Sequence, residues 1–198
     1  MLLVSRRTLL IITDTHNPNM LEWPPLYQAA QTVVVIDHHR KMVGHIDNAV
    51  IFYHEPYASS ASEMVTELAQ YFNTKQQLGR VEAEAVLAGI MLDTKNFIIG
   101  TGARTFEAAA YLRRSGADIT RVRKLFRENM VDYQAKAEAV RLAEVYMDSF
   151  AISVCPSDGL DSPTIIGAQA ANELLEIRGI KASVVLTPYN GVIYYSAR

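Results

Sequence analysis

Three short segments combine carboxylates with histidine or amide side chains, each directly after an apolar run. They are Asp14-Thr15-His16, Asp37-His38-His39 and Asp93-Thr94-Lys95-Asn96. Carboxylate oxygens mixed with imidazole nitrogens favour manganese, iron or zinc over calcium, which prefers all-oxygen ligands. A single acid at a strand end is more often a cap or turn residue, so the prediction of a metal site depends on the combination. All five histidines lie at or before His54, so we expect the chemistry in the N-terminal part of the chain.

Two apolar runs rich in β-branched residues must position the first two segments. Residues 8–13 (TLLIIT) and 32–36 (TVVVI) are continuous rather than alternating, which is typical of parallel strands covered on both faces. Asp14 follows the first run and Asp37 follows the second. Because ligands of open α/β sheets bind at the carboxyl ends of strands, we expect these acids to lie at one edge of a sheet.

Helical patterns occupy the middle of the chain. Ser60 and Glu63 have the spacing of a capping box, and a second helix is predicted from about residue 80 to 92, ending at Asp93. Three more helices are predicted, over residues 104–114, from a cap at Asp118 through Arg127, and over residues 132–146. The last of these, rich in Ala, Glu and Lys, has the composition of a connecting helix.

The final third has a different pattern. A strand is predicted over residues 150–155, a helix from Ser162-Pro163 to Gly179, and two strands over 181–187 and 192–196 around the turn Asn190-Gly191. We therefore expect an α/β protein of two domains, with residues 1–130 as the first, 131–147 as a connecting helix, and 148–198 as part of the second.

The composition excludes several classes of protein. The 198 residues are 49% hydrophobic, enough for a packed core, and 19 Lys and Arg nearly balance 21 Asp and Glu. That balance argues against a surface that coats duplex nucleic acid. The single cysteine, Cys155, excludes a disulfide scaffold and a cysteine-based zinc site. No segment reaches the roughly 18 apolar residues of a membrane helix, so we expect a cytoplasmic domain.

The same segments carry a family resemblance. Asp37-His38-His39 is the signature of the DHH phosphoesterases, and the spacing of Asp14, Asp37 and Asp93 fits the second, third and fourth motifs of that superfamily. Three further stretches most resemble the membrane-anchored GGDEF–DHH cyclic di-AMP phosphodiesterases: EPYASS at 55–60, GIMLDTKNF at 89–97 and TGARTFEAAAYLRRSG at 101–116. The resemblance implies a parallel-sheet DHH domain followed by part of a DHH-associated C-terminal domain.

The resemblance also implies residue roles. Asp14 would bridge two metals, and His38 and Asp93 would complete the ligands of the second one. Asp37 would orient a histidine, and His16 would either do the same or bind the metal. With Asp14, His38, His39 and Asp93 as the catalytic set, substrate contacts are expected from His39, Ser59, Ser60, Asn96, Arg104, Ser196 and Arg198.

Two motifs of the family do not match this sequence. A His followed by D-x-D, which supplies the first metal's ligands, belongs on a strand before Thr8, and a GGGH-type nucleotide motif belongs after Arg198. We therefore expect a chain truncated at both ends that holds one partial site of a two-manganese centre. The implied activity is hydrolysis of cyclic di-AMP to linear pApA by two-metal activation of water, in a homodimeric, membrane-anchored parent protein.

Two alternative functions remain open. One is a nanoRNase or 3′,5′-bisphosphate nucleotidase of the same superfamily, which acts on short linear nucleotides. The other is a catalytically incomplete module that binds a nucleotide or a metal.

We expect His45, His54 and Cys155 to take no part in the chemistry. The basic stretch 121–127 is expected to be either a solvated helix face or a phosphate contact.

Overall fold

The computed structural model describes residues 4–72 and 78–198, and the chain divides into two compact units, Met1–Phe126 and Arg127–Arg198. The first unit contains a three-stranded parallel sheet in the order β1-β2-β3. Its strands are β1 (Leu9–Thr13), β2 (Thr32–Asp37) and β3 (Ile51–His54). The predicted parallel strands are thus confirmed for β1 and β2. Thr13 pairs with Ile36, so Asp14 and Asp37 reach the same edge of the sheet.

Burial of the first strand differs from the prediction. Only Ile12 of β1 is buried, and Leu9 and Ile11 are each 53% exposed. The reason is position, because within the described residues β1 pairs only with β2 and forms the edge of the sheet. The central strand β2 fits the expectation, since Val33 and Val35 are fully buried in the sheet core.

Helices make up the rest of the first unit. They are α1 (Pro24–Ala29), α2 (Ala61–Ala69), α3 (Arg80–Asp93), α4 (Ala103–Arg114) and α5 (Ile119–Leu125), with a 3₁₀ turn at Pro18–Met20. Helices α2 to α5 match the predicted ones, although α5 ends before Arg127. A second core of side chains from α3 to α5, including Leu87, Ile90, Leu112 and Val122, packs these helices together. That packing fixes the carboxyl end of α3, where Asp93 lies.

The second unit is a mixed sheet with helices. Its elements are α6 (Met130–Arg141), β4 (Glu144–Tyr146), β5 (Phe150–Val154), α7 (Pro163–Leu175), β6 (Ala182–Tyr189) and β7 (Val192–Ala197). The sheet order is β4-β5-β6-β7, in which only β5 and β6 run parallel. The predicted hairpin is confirmed, since Asn190 and Gly191 have φ values of 52° and 73°, as a two-residue type I′ turn requires.

One predicted helix ends early. The helix expected to reach residue 146 stops at Arg141, and β4 pairs antiparallel with β5 instead. Met147 and Asp148 both have positive φ, which reverses the chain so that Val145 and Tyr146 gain strand partners.

Among the helices over residues 4–72 and 78–198, none combines the length and apolar character needed to cross a membrane.

Candidate metal centre

Asp14 lies at a strained position at the end of β1. Its φ of 66° places it in the left-handed region, which Asp tolerates better than most residues. The backbone N–H of Asp14 is held by the carbonyl of Ile36 at 3.0 Å. The conformation is therefore supported by the neighbouring strand, and the side chain is 56% exposed.

Three elements bring ligand atoms together around His38. Its Nε2 atom lies 3.4 Å from Asp14 Oδ1 and 3.9 Å from Asp93 Oδ2. Asp14 follows β1, His38 follows β2 and Asp93 ends α3. Ligand atoms of Asp14, His38 and His39 also lie within 4.8 Å of one another. The arrangement offers mixed oxygen and nitrogen donors of the kind that hold a divalent transition metal.

The ring of His38 is oriented by the main chain. Its Nδ1 atom lies 3.2 Å from the carbonyl oxygen of Ala58. Because a carbonyl can only accept, Nδ1 carries the hydrogen in the neutral ring, and the lone pair on Nε2 faces the carboxylates of Asp14 and Asp93. This tautomer leaves Nε2 able to bind a metal beside those carboxylates.

Asp37 is fully buried and uses both of its oxygens. Oδ1 accepts from the backbone N–H of His39 at 3.2 Å and from the Nδ1 of His39 at 2.8 Å, and Oδ2 accepts from the Nδ1 of His16. Burial alone would raise the pKa of Asp37, but the hydrogen bonds from His16 and His39 outweigh burial and lower that pKa. The bond to Asp37 in turn raises the pKa of His39, so His39 carries positive charge more readily than an ordinary histidine.

The geometry around His16 favours an orienting role over metal binding. The ring is 2% exposed, with Nδ1 on Asp37. Its Nε2 accepts the backbone N–H of Met42 at 3.0 Å, which fixes the hydrogen on Nδ1. Both nitrogens are occupied within the protein, so neither one faces a metal position.

Two histidines that we expected to be incidental lie against this group. His54 bonds the carbonyl of His39, and the rings of His54, Phe52 and His45 pack around His16 with centroids 5.6, 6.1 and 6.4 Å away. The register explains the placement, since β3 pairs His54 with Asp37. Recognising His54 from the sequence required recognising β3, a four-residue strand.

Asp93 is held by a turn of unusual conformation. The buried Thr94 donates its hydroxyl to the carbonyl of Ile90 at 2.7 Å and accepts the N–H of Phe97 at 2.9 Å. Lys95, Asn96 and Phe97 follow with φ values of 46°, 59° and 66°, a run of left-handed residues that stores strain. Burial, followed by the charge of Asp14, raises the pKa of Asp93.

The expected substrate contacts before α2 and on α4 are hydrogen-bonded to neighbouring groups of the protein. Ser60 Oγ caps α2 by accepting the N–H of Glu63 at 3.0 Å, and the Ser59 hydroxyl donates to Glu63 at 2.6 Å. Arg104 donates twice to Glu67 at 2.7 Å, and these bonds raise its pKa. Substrate contact by Ser59, Ser60 and Arg104 stays a prediction.

The remaining expected contacts are at other places in the chain. Asn96 is exposed in the left-handed turn after α3. Ser196 lies on β7 of the second unit, and Arg198 follows that strand and donates to Asn172 at 3.1 Å. Their roles also stay predictions. A cavity of about 300 Å³ opens beside the acids, lined by Asp14, Asp93, Ser62, Gly89 and several apolar side chains.

Comparisons with known proteins show what the chain is similar to. Residues 1–90 match the model of the DHH family, N-terminal domain. The chain carries a DHH-family domain. Over 93% of its length it is 41% identical to the cyclic-di-AMP phosphodiesterase PdeA of Listeria monocytogenes, and over 99% it is 42% identical to the cyclic-di-AMP phosphodiesterase GdpP of Geobacillus thermodenitrificans. It spans only 28% and 30% of the length of those relatives.

The fold of this chain is also similar to that of a solved structure. A crystal structure of an exopolyphosphatase-related protein from Bacteroides fragilis superposes with a TM-score of 0.82, covering 96% of this chain and 58% of that one. The sequence identity is 19%, so the likeness concerns the fold. The predicted α/β class with a parallel-sheet DHH domain is confirmed.

Proposed function

We propose that this chain is the catalytic part of a metal-dependent phosphodiesterase that hydrolyses cyclic di-AMP to linear pApA. The observation that carries the proposal is the convergence of Asp14, His38 and Asp93 at the carboxyl edge of the parallel sheet, within 3.9 Å of His38 Nε2. Support for the substrate comes from relatives named cyclic-di-AMP phosphodiesterases, which are 41% and 42% identical to this chain.

The donor set fits a divalent cation. Asp14, His38 and Asp93 would hold it. Burial and then the charge of Asp14 raise the pKa of Asp93, and a bound cation would offset the repulsion between these two carboxylates. We propose manganese, as one of the two ions that the resemblance implies. When bound, such an ion supplies a water of lowered pKa and an electrophile for a phosphoryl oxygen.

His39 is proposed to serve the substrate. Its Nδ1 is held by Asp37 at 2.8 Å, which leaves Nε2 free to donate a hydrogen bond to a phosphate oxygen. Because the bond to Asp37 favours the protonated ring, His39 would bind the phosphate in the ground state and balance its growing charge during attack by water. Asp37 and His16 keep that ring in place.

The decisive experiment measures manganese-dependent conversion of cyclic di-AMP to pApA by the full-length gene product. We expect Asp14→Asn and His38→Ala to abolish turnover, while Asp47→Asn, a change at an exposed acid in the same unit, leaves it intact. Turnover at the wild-type rate in either site variant would contradict the assignment of the metal ligands.

The same assay separates the alternative functions. Faster hydrolysis of short linear oligonucleotides or of a 3′,5′-bisphosphate nucleotide would indicate a nanoRNase or nucleotidase. Tight metal or nucleotide binding without turnover would indicate a binding module.

We also propose, from the resemblance, that the parent protein is a homodimer anchored in the membrane, with this part in the cytoplasm. Fractionation would test the anchoring and light scattering of the full-length product would test the dimer.

A further inference from the structure

A buried carboxylate lies behind the candidate metal centre and is not one of its ligands. Glu63, in the first turn of α2, is 1% exposed, and burying a carboxylate is costly unless it is paired. Its Oε2 accepts from the Ser59 hydroxyl at 2.6 Å and from the Ser59 backbone N–H at 3.4 Å, and its Oε1 lies 4.0 Å from Arg104 Nε. The carboxylate is thus turned toward Ser59, with Arg104 on its other side.

Helix capping does not account for these contacts. In a capping box, the third helical residue reaches back to the backbone N–H of the N-cap residue, which here is Ser60. The carboxylate of Glu63 instead bonds Ser59, one residue earlier. Ser60 performs its own half of the cap, since its Oγ accepts the Glu63 N–H at 3.0 Å.

One peptide group connects Glu63 to His38. The N–H of Ser59 and the carbonyl of Ala58 belong to the same trans peptide, so they point in opposite directions. Glu63 accepts from the N–H, and the carbonyl accepts from His38 Nδ1 at 3.2 Å. A carboxylate on the N–H side holds the peptide plane in place and polarises the carbonyl, which makes it a stronger acceptor for His38.

We propose that Glu63, supported by Arg104, is a positioning residue for His38. It holds the Ala58–Ser59 peptide so that the carbonyl of Ala58 keeps hydrogen on Nδ1 of His38 and presents Nε2 to Asp14 and Asp93. The inference rests on the proposed function only in taking His38 as a metal ligand. Partners behind a ligating histidine typically change metal affinity by roughly 10- to 100-fold when they are removed.

The test compares Glu63→Gln and Ser59→Ala with a matched control. Glu84 on α3 is also a buried carboxylate, 8% exposed and bonded by Arg80 at 2.9 Å and Arg121 at 3.2 Å. None of its hydrogen bonds leads to His38. Glu84→Gln therefore reproduces the loss of a paired carboxylate in the same unit without touching the proposed connection.

The first readout is the tautomer of His38 in the metal-free chain. It is measured by long-range ¹H–¹⁵N correlation at a pH above the ordinary histidine pKa of about 6.5. We expect a single Nδ1–H form in the wild type and in Glu84→Gln, and a mixture of both tautomers in Glu63→Gln. Ser59→Ala should show a smaller shift in the same direction, since it keeps the backbone N–H bond.

The second readout is manganese affinity by calorimetry. We expect Glu63→Gln to weaken binding by about tenfold, with Glu84→Gln unchanged. The inference is overturned if the Glu63 and Ser59 variants lose only thermal stability while the tautomer and the affinity stay as in the wild type. If Glu63→Gln does not fold, Ser59→Ala, which keeps the Glu63–Arg104 pair, decides the question.

The two proposals fail in different ways. Absence of cyclic di-AMP turnover, with the tautomer shift present, would refute the proposed function and leave the positioning role intact. Turnover that depends on Asp14 and His38, with no tautomer shift in Glu63→Gln or Ser59→Ala, would support the proposed function and refute the positioning role.

Discussion

The candidate centre has a strand-borne half and a helix-borne half, and each is held by different forces. The strand-borne half consists of Asp14 after β1 and of His38 and His39 after β2. His39 donates to the buried carboxylate of Asp37, which also accepts from His16. Asp93 ends α3, and the turn after it is held by backbone and hydroxyl bonds around Thr94. Hydrogen bonds among side chains thus hold His39 in one half, and a left-handed turn around Thr94 supports Asp93 in the other, so the two halves should fail differently when they are altered.

The largest effect should come from removing a ligand in either half. Asp14→Asn and Asp93→Asn keep the shape of the side chain and lose its charge, so we expect each to weaken manganese binding by more than the roughly 10- to 100-fold typical of residues behind a ligand. Calorimetry on the purified chain measures this. If one variant bound manganese as the wild type does, that half would not belong to the metal site.

The strand-borne half should fail through frustrated hydrogen bonds. In Asp37→Asn, an amide nitrogen must face either His39 or the Nδ1–H of His16, and His16 cannot change tautomer because Met42 N–H already donates to its Nε2. A buried donor left without an acceptor costs about 1–3 kcal/mol, and more where a charge is lost. We expect a loss of about 3 kcal/mol in urea unfolding, against no change for the exposed Asp47→Asn. Wild-type stability of Asp37→Asn would show that the network is not needed.

The helix-borne half should depend on the hydroxyl of Thr94. Thr94→Val keeps the volume of the side chain and leaves the N–H of Phe97 without its acceptor. We expect a loss of about 1–2 kcal/mol together with weaker manganese binding, because Asp93 adjoins the turn. Thr94→Ser keeps the hydroxyl and should retain both the stability and the manganese affinity of the wild type. Equal behaviour of the Val and Ser variants would mean that the hydroxyl does not hold the turn.

How far the sequence predicts each half follows from the range of the interactions. The ends of β1 and β2 were predictable because a continuous β-branched run and the acid after it are local features. His54 was not, because β3 has four residues and exists through its pairing with β2. The early end of α6 has the same cause, since Glu144–Tyr146 gains strand partners in β5.

The helix-borne half shows a second limit. Asp93 was predicted at the end of an apolar helix, but nothing in Lys95 or Phe97 indicates positive φ, which these residue types adopt rarely. The turn is imposed by Thr94 and by the bonds from Ile98 and Ile99 to its carbonyl. Likewise, the spacing of Ser60 and Glu63 predicted a cap, but it did not indicate that the Glu63 carboxylate would accept from Ser59 or lie 4.0 Å from Arg104 of α4.

The smallest effect should come from relaxing that turn. Lys95 is exposed with φ of 46°, and a left-handed conformation costs a residue with a Cβ roughly 1–2 kcal/mol, while glycine loses about 0.5–1 kcal/mol more backbone entropy on folding than alanine. We therefore expect Lys95→Gly to stabilise the turn by about 0.5 kcal/mol, measured as slower amide exchange at Phe97 and Ile98.

The matched control is Lys181→Gly, at an exposed lysine outside the left-handed region. Without strain to relieve, that change should destabilise the chain by about 0.5–1 kcal/mol through the entropy of the unfolded state. Opposite signs for the two glycine variants would show that the helix-borne half holds its acid by a strained backbone. Equal losses would show that the turn around Lys95 is relaxed, and the contrast with the strand-borne half would then reduce to the Thr94 hydroxyl alone.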